Sequence, residues 1–191
     1  MTRKLLVVSL LMYGLTVIPA RASCLWRVDQ SQSVIEFVAS MQGAEFTGRF
    51  GSFDAHIDFD PAQPDQGQAR VTVPLSTVDT QFEERDAEVK KADWFDVERF
   101  PQAVYAVSEF IPFAPGEFTA KGSLTLRGQT LPVPLRFKLK TTGARTEMTG
   151  ETAINRLDFG LGWPATEVVG NPVKIRVSLV ALRDPQSTCT P

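Results

Sequence analysis

Histidine and cysteine are scarce in this sequence, and neither sign of charge is in clear excess. The 191 residues include one histidine, two cysteines, 20 basic and 22 acidic residues, which gives a formal net charge of −2. A single histidine argues against catalysis or metal binding that depends on several imidazoles. The lack of a basic excess argues against nucleic-acid binding, which needs a positive surface to displace counterions from phosphates. Composition therefore favours a binding or structural protein.

Aromatic residues that can form hydrogen bonds are also few. The chain has 13 Phe but only 2 Tyr and 3 Trp, so most of its aromatic surface suits a dry interior. With 43% apolar and 22% charged residues, it has enough apolar surface to fold. Its length suits one ordinary domain.

The N-terminal residues have the features of a cleaved export signal. Arg3 and Lys4 precede an apolar run over 5–18, and the Ala-Arg-Ala at 20–22 matches a signal-peptidase site. The run is shorter than the roughly 20 residues that a membrane span needs. We expect residues 1–22 to be a signal peptide that is cleaved after Ala22. The mature part, 23–191, is then a single periplasmic domain.

The two cysteines, Cys24 and Cys189, lie near the ends of the predicted mature chain. In an oxidising compartment, such a pair favours a structural disulfide that joins the two ends. The alternative is a lipid anchor on Cys24, just after the predicted cleavage site. Arg21 stands where lipoprotein signals usually have an aliphatic residue, and a lipidated Cys24 leaves Cys189 unpaired. The disulfide is the favoured interpretation.

Apolar and polar residues alternate along most of the mature chain. Over 118–127 the even-numbered residues are apolar or small and the odd-numbered ones are polar, and the same period of two recurs over 133–140 and 173–179. This pattern is typical of strands with one dry and one wet face, as in an antiparallel sheet covered on a single side.

About eight strands are predicted from this alternation and from the turn residues between its segments. They lie near 26–39, 45–59, 68–75, 103–111, 117–127, 131–141, 145–156 and 172–182. Gly48 and Gly51 predict a sharp bend within the second strand. Long strands joined by short hairpins favour an all-β fold, an eight-stranded antiparallel up-and-down barrel. The interior of such a barrel is filled by side chains or holds one slim ligand.

Residues 76–102 interrupt the alternation and are too long for an idle loop in a compact domain. The sequence at 80–83, Thr-Gln-Phe-Glu, has the form of a capping box, and acidic residues precede Lys90 and Lys91 as the helix dipole favours. We predict a short helix at 81–91 within a helical lid near 80–96. Trp94 and Phe95 belong to the apolar side of this lid.

Four stretches of the chain resemble the YceI-like family of exported, lipocalin-like barrels associated with polyisoprenoid binding. They are WRVDQSQSVIEF (26–37), GRFGSFDAHIDFDP (48–61), STVDTQFEERDAEVKKADWFDVERFP (76–101) and GSLTLRGQTLPVPL (122–135). The third is the most specific, since an Arg-Asp pair precedes its aromatic-rich DWFDVERFP. The resemblance covers nearly the whole mature chain. It implies a lipocalin-like barrel that holds a long apolar lipid, an isoprenoid or an isoprenoid quinone, in its lumen.

The apolar strand faces, taken with this resemblance, supply candidate ligand-binding residues. The candidates for the lumen are Phe46, Phe50, Phe59, Phe118, Leu124, Leu126, Leu135, Phe137 and Met148. Trp94 and Phe95 either touch the ligand or seal the open end of the barrel. Arg85, from the Arg-Asp pair, is the candidate for a headgroup contact, and its alternative role is an ion pair that locks the lid. Either a hollow lumen or one filled completely by these side chains satisfies the pattern.

Many members of the family have histidine where this sequence has Gln32 and Glu88. In this respect the chain is similar to a branch linked to cytochrome b561, which implies contact with such a membrane protein and a quinone as ligand. The sequence predicts no catalytic residue, no metal site and no cofactor other than a bound lipid. The leading hypothesis is a lipid carrier, and the alternatives are a lipid- or quinone-linked redox accessory or enzyme and a solid-core structural module. The sequence leaves open whether the protein forms a homodimer.

Overall fold

The computed structural model describes residues 24–162, 168–187 and 189. The predicted signal peptide and its cleavage site lie outside the described residues. The strands are β1 (Leu25–Val28), β2 (Val34–Met41), β3 (Ala44–Phe50), β4 (Asp54–Asp58), β5 (Gln68–Pro74), β6 (Val78–Asp79), β7 (Gln102–Ala114), β8 (Glu117–Leu126), β9 (Gln129–Pro132), β10 (Leu135–Thr142), β11 (Arg145–Asn155) and β12 (Pro172–Arg183). One α-helix, α1 (Glu83–Val89), lies in the described part of the chain, and it is too short to span a membrane.

An antiparallel barrel with eight wall positions forms from these strands. Four positions each combine two consecutive strands: β1 with β2, β3 with β4, β5 with β6, and β9 with β10. Positions that follow one another in the sequence are neighbours in the wall. The ring closes because β12 pairs with both β1 and β2. The predicted eight-stranded up-and-down barrel is therefore confirmed.

The first wall position is interrupted between β1 and β2, so the prediction of one continuous strand over 26–39 is wrong. A 3₁₀ turn at Gln30–Gln32 separates the two strands, and the carboxylate of Asp29 accepts hydrogen bonds from the backbone N and the hydroxyl of Ser31. Both sides of the interruption bond to Val180 of β12, since Asp29 N donates to its carbonyl and Ser33 Oγ accepts from its N. The hydrogen bonds of this local turn replace those of the sheet ladder at the interruption.

The second wall position bends between β3 and β4, at residues 51–53, as its glycines predict. Gly51 lies in the bend itself, where its N donates to the carbonyl of Thr77 at 2.9 Å. Gly48 has a different role within β3. A Cβ atom at Gly48 would lie 2.3 Å from the ring of Phe37, its cross-strand partner, so only glycine leaves space for that ring.

The helix of the lid is confirmed in place, but it is shorter than 81–91 and the predicted capping box is wrong. Phe82 is the N-cap residue and makes no capping hydrogen bond with its side chain. Gln81 has a left-handed φ of 61°, which turns the chain before the helix begins. Thr80 instead donates from its N and its Oγ1 to the carboxylate of Asp86, at 2.8 and 2.5 Å.

The two ends of the barrel differ in what covers them. At the lid end lie the hairpin turn 42–43, the lid at 80–96, the turn at 127–128 and the described parts of the connection between β11 and β12. At the opposite end, called the disulfide end, Cys24 and Cys189 form the predicted disulfide across a sequence separation of 165. Pairing of the cysteines is thus confirmed, and such a bond is typical of an oxidising compartment.

The side chains of the dry strand faces point into the barrel as the alternation predicts. On β8, for example, every even-numbered residue from Phe118 to Leu126 is buried. Two clusters form along the barrel axis, one beneath the lid around Leu124 and Phe159, and one toward the disulfide end around Phe59 and Phe137. Full burial of each such side chain stabilises the fold by about 1.5–3 kcal/mol.

Candidate ligand-binding lumen

An apolar cavity of about 100 Å³ lies inside the barrel, in the half nearer the disulfide end. Four of the predicted lumen residues line it: Phe59, Leu135, Phe137 and Met148. The three lining side chains that carry polar atoms are already bonded, and Trp26 Nε1 donates to the carbonyl of Phe59 at 2.8 Å. Tyr105 Oη donates to the carbonyl of Val133 at 2.8 Å, and the hydroxyl of Thr146 bonds that of Thr141 at 2.9 Å. A cavity with such walls favours hydrocarbon over water.

Four phenylalanine rings pack together at the disulfide end of this cavity. The ring centroids of Phe59 and Phe110 are 4.4 Å apart, those of Phe59 and Phe118 are 5.2 Å apart, and Phe118 stacks on Phe137 at 5.6 Å. These separations are typical of favourable aromatic pairs. The group, called the phenylalanine cluster, packs the barrel interior at this end.

Phe110 is absent from the residues predicted for the lumen, although it is buried in the phenylalanine cluster. The register of β7 against β8 shifts between Val107 and Glu109, which is a β-bulge. A bulge adds one residue and so changes which residues face inward. Tyr105 and Val107 on one side of the bulge and Phe110 on the other therefore all face the interior.

Tyr105 lies between the two core clusters and packs against both. Its ring crosses Gly122 of β8, where a Cβ atom would lie 2.1 Å from the ring. Burial raises the pKa of the Tyr105 hydroxyl well above its usual range, since ionisation would place a charge among apolar side chains. The sequence analysis does not single out Tyr105; its place on the dry face of β7 is the signal that identifies it.

The remaining predicted lumen residues lie away from the cavity. Phe118 belongs to the phenylalanine cluster, while Leu124 and Leu126 are buried beneath the lid. Phe95 of the lid contacts Phe50 with ring centroids 6.2 Å apart, and both pack against this upper core. Trp94 also packs there, so in this structure the lid aromatics cover the lid end of the barrel.

Arg85 and Phe46 meet at the rim of the lid end. The guanidinium carbon of Arg85 lies 3.9 Å from the centroid of the Phe46 ring, and Nη2 donates to the carbonyl of Thr80 at 2.8 Å. These residues line an open groove of about 540 Å³ together with Met41 and Phe82. Among the described residues Arg85 forms no ion pair, so the alternative of an ion-pair lock is wrong. A cation–π contact and a backbone hydrogen bond hold the helix instead.

Arg156 is a buried residue that the sequence analysis does not identify. Its Nε donates to the carbonyl of Gly170 at 3.0 Å, its Nη2 to that of Val169 at 2.7 Å, and its Nη1 to those of Leu161 and Gly162. The burial of this side chain lowers its pKa. Because its partners are carbonyls of an irregular connection, no motif in the sequence indicates them.

The described residues include no group of three His, Cys, Asp or Glu side chains that is placed to hold a metal ion. His56 is exposed on the outer face of β4, as the strand pattern predicts. The chemically distinctive features of the described barrel are therefore the apolar cavity and the groove at Arg85.

Comparison with known proteins gives three kinds of similarity. A family model for the YceI-like domain matches residues 26–181. A UPF0312 protein of Pseudomonas fluorescens is 34% identical over 144 residues, which cover 69% of this chain and 73% of the relative. A UPF0312 protein of Vibrio cholerae is 30% identical over 120 residues, which cover 60% of this chain and 64% of the relative's own length.

Solved structures have the same architecture. The crystal structure of Burkholderia cenocepacia BcnA superposes with a TM-score of 0.78 at 29% identity, covering 81% of this chain and 99% of BcnA. A polyisoprenoid binding domain from Saccharophagus degradans has a TM-score of 0.69 at 17% identity, covering 83% of this chain and 98% of that domain. The second likeness concerns the fold alone. The family model spans most of the chain and its whole barrel, and the chain therefore belongs to the YceI-like domain family.

Proposed function

We propose that this protein is an exported, periplasmic carrier that shelters an apolar lipid chain, an isoprenoid or isoprenoid quinone, inside its barrel. The observation that carries the proposal is the dry cavity, about 100 Å³ in volume, in a barrel otherwise densely filled with phenylalanine and leucine. The polyisoprenoid-binding domain of Saccharophagus degradans supports the ligand class, because it has the same fold. The Cys24–Cys189 disulfide supports an oxidising compartment.

An unfilled cavity would carry an energetic cost that a bound ligand removes. At about 24 cal/mol per Å³, a cavity of this size destabilises the barrel by about 2 kcal/mol relative to a filled one. Each methylene group that leaves water for the cavity contributes about 0.8 kcal/mol. Affinity for a hydrocarbon chain then needs no polar contact from the lumen.

A long lipid requires more space than the cavity provides, since small-molecule sites usually have about 300–1,000 Å³. Met148 is suited to make that space. It packs against both core clusters, is only partly buried, and has an unbranched side chain that adapts to irregular spaces. The predicted lumen residues Phe59, Leu135 and Phe137 surround the same volume and would contact the chain.

The groove at the rim suits the polar end of such a lipid. Arg85 Nε has no hydrogen-bond partner among the described residues, and its guanidinium lies over Phe46 within an otherwise largely apolar groove. A carbonyl or phosphate oxygen of a headgroup would supply an acceptor for Arg85. Transfer from a bilayer requires a membrane contact, and a cytochrome b561-type membrane protein is the partner we propose.

The test is the lipid content of the protein when it is purified from the periplasm. Purified protein is extracted with organic solvent, and the extract is analysed by mass spectrometry. We expect close to one polyprenyl lipid per chain. An extract without stoichiometric lipid, together with no binding of added solanesol, would contradict the carrier and leave the solid-core module.

Two matched variants connect the lipid to the cavity. Ala120→Leu adds a side chain to a cavity-lining position, whereas Ala106→Leu adds the same atoms on the outer face of the neighbouring strand β7. Ala120→Leu should reduce the bound lipid several-fold while Ala106→Leu retains it. Equal lipid content in the two variants would show that the lipid lies elsewhere.

A further inference from the structure

Tyr105 lies between the cavity and part of the core beneath the lid. It lines the cavity, and it also packs against the residues of both core clusters. Leu124, its cross-strand partner on β8, belongs to the cluster beneath the lid. The Tyr105 ring, like the side chains of Ile57 and Met148, therefore lies where the cavity meets the core beneath the lid.

The space that this ring occupies is created by one glycine. Gly122 lies on the inward face of β8, where its neighbours at 120 and 124 carry side chains into the core. A Cβ atom at Gly122 would lie 2.1 Å from the Tyr105 ring and 2.2 Å from its hydroxyl oxygen. Any side chain at 122 would thus displace the ring from its present position.

Hydrogen bonding to the backbone fixes the far end of the ring. Tyr105 Oη donates to the carbonyl of Val133 at 2.8 Å, and Val133 lies in the interruption between β9 and β10. The N of Val133 donates to the carbonyl of Gly122 at 2.8 Å. The carbonyl of Val133 is therefore held in the barrel wall beside Gly122. The Tyr105 ring thus has one defined position, called its closed position.

We propose that Tyr105 is a gate whose closed position limits how much of an apolar chain the barrel admits. When the hydroxyl bonds Val133, the cavity is closed at about 100 Å³ and accepts only compact apolar groups. When that bond is broken, the ring leaves Gly122 and the volume that it vacates joins the cavity. This inference rests on the proposed lipid-binding function and adds the residue that selects ligand length.

The test compares two probes, benzene and the fifteen-carbon alcohol farnesol, by isothermal titration calorimetry. Tyr105→Phe retains the ring but lacks the hydroxyl, and Gly122→Ala drives the ring from its closed position. Because opening no longer requires breaking a hydrogen bond, Tyr105→Phe should bind farnesol about fivefold more tightly than the wild type. Its benzene affinity should rise less than its farnesol affinity, since ligands that fit the closed cavity do not need the gate.

Gly51→Ala is the matched control, because a Cβ atom at Gly51 meets only Thr77 at ordinary contact distance. It should bind both probes as the wild type does. If Gly122→Ala fails to fold, Tyr105→Phe alone decides. Farnesol affinities of both gate variants within twofold of the wild type, while the wild type binds farnesol, would overturn the gate but not the carrier. If neither probe binds to the wild type or to any variant, the carrier and the gate are both overturned.

Discussion

The two ends of the barrel are held by different kinds of interaction. At the disulfide end, four phenylalanine rings and a covalent bond between Cys24 and Cys189 hold the wall together. At the lid end, arginine side chains donate to backbone carbonyls. Arg156 bonds four of them, and Arg127 bonds those of Gly160 and Ala92, at 2.6 Å each.

This difference indicates which end can open while the barrel stays folded. Apolar packing and a disulfide resist local separation, because any opening exposes many ring atoms at once. Hydrogen bonds from a few arginines to irregular backbone can exchange with water one at a time, and such segments form the less stable parts of a protein. We therefore expect ligand entry at the lid end and a permanently closed disulfide end.

The largest effect is expected from removing the disulfide. In the Cys24→Ser, Cys189→Ser double variant, the loss of a link across 165 residues should lower the free energy of unfolding by up to about 5 kcal/mol. Urea denaturation measures the change, and wild-type protein reduced with dithiothreitol should match the double variant. A double variant as stable as the oxidised wild type would show that packing alone holds this end.

Phe137→Ala should come next, since it removes a ring from the phenylalanine cluster. A loss of about 3–5 kcal/mol is typical of a buried phenylalanine. Phe113→Ala is the control, because Phe113 is 54% exposed and should change stability little. Hydrogen exchange should increase around the whole barrel in Phe137→Ala; an increase limited to its own strand would contradict global coupling at this end.

Arg156→Met should lower stability by about 3 kcal/mol, because it leaves several buried carbonyls without a donor. Its distinguishing effect is local, and faster amide hydrogen exchange should appear at 156–162 and in the lid before the disulfide end is affected. Arg176→Met, which removes an exposed ion pair with Glu151, is the control and should change stability by less than about 1 kcal/mol. Uniform exchange throughout the barrel would refute the contrast between the two ends.

The smallest effect is expected at Asp79, on the rim of the lid end. A hydrogen bond from the N of Gln81, and then the side chain of Arg49, lower the pKa of Asp79 below its ordinary value of 3.8. A lowered pKa in the folded state stabilises the protein above pH 4, and this contribution is lost as the pH falls through the folded-state pKa. The melting temperature, measured by thermal denaturation from pH 6 to pH 2, should therefore fall less steeply for Asp79→Asn than for the wild type. A decline as steep as that of the wild type would assign the acid sensitivity to other carboxylates.

The sequence predicts the barrel well because its dominant signal is periodic and local. Alternation over 118–127 identifies the buried face of β8 residue by residue, and the two cysteines near the ends of the predicted mature chain indicate their own pairing. The break at 29–33 was missed although Asp29 and Ser31 are typical turn residues. A long alternating pattern on either side concealed this short turn.

The interior site is harder to predict from the sequence. It depends on β-bulges, which change the residues that face inward, and on how aromatic rings pack across strands. A bulge in β7 brings Phe110 inward, and no residue type in that strand marks the bulge. The pairing of Tyr105 with Gly122 joins two strands whose individual patterns look ordinary. Arg156 has the pattern of a strand end, and its four acceptors among the described residues are carbonyls, which carry no side-chain signal.

The proximity of Cys24 and Cys189, whose Cα atoms are 4.7 Å apart, also determines from which end of the barrel a fused module emerges. A tag, tether or second module attached before Cys24 or after Cys189 emerges from the same pole, opposite the lid. Immobilising the protein through either terminus on a biosensor chip should therefore leave the rim groove facing the solution. A circularly permuted chain, with these two positions joined and new termini opened at the hairpin turn 42–43, would reverse that orientation.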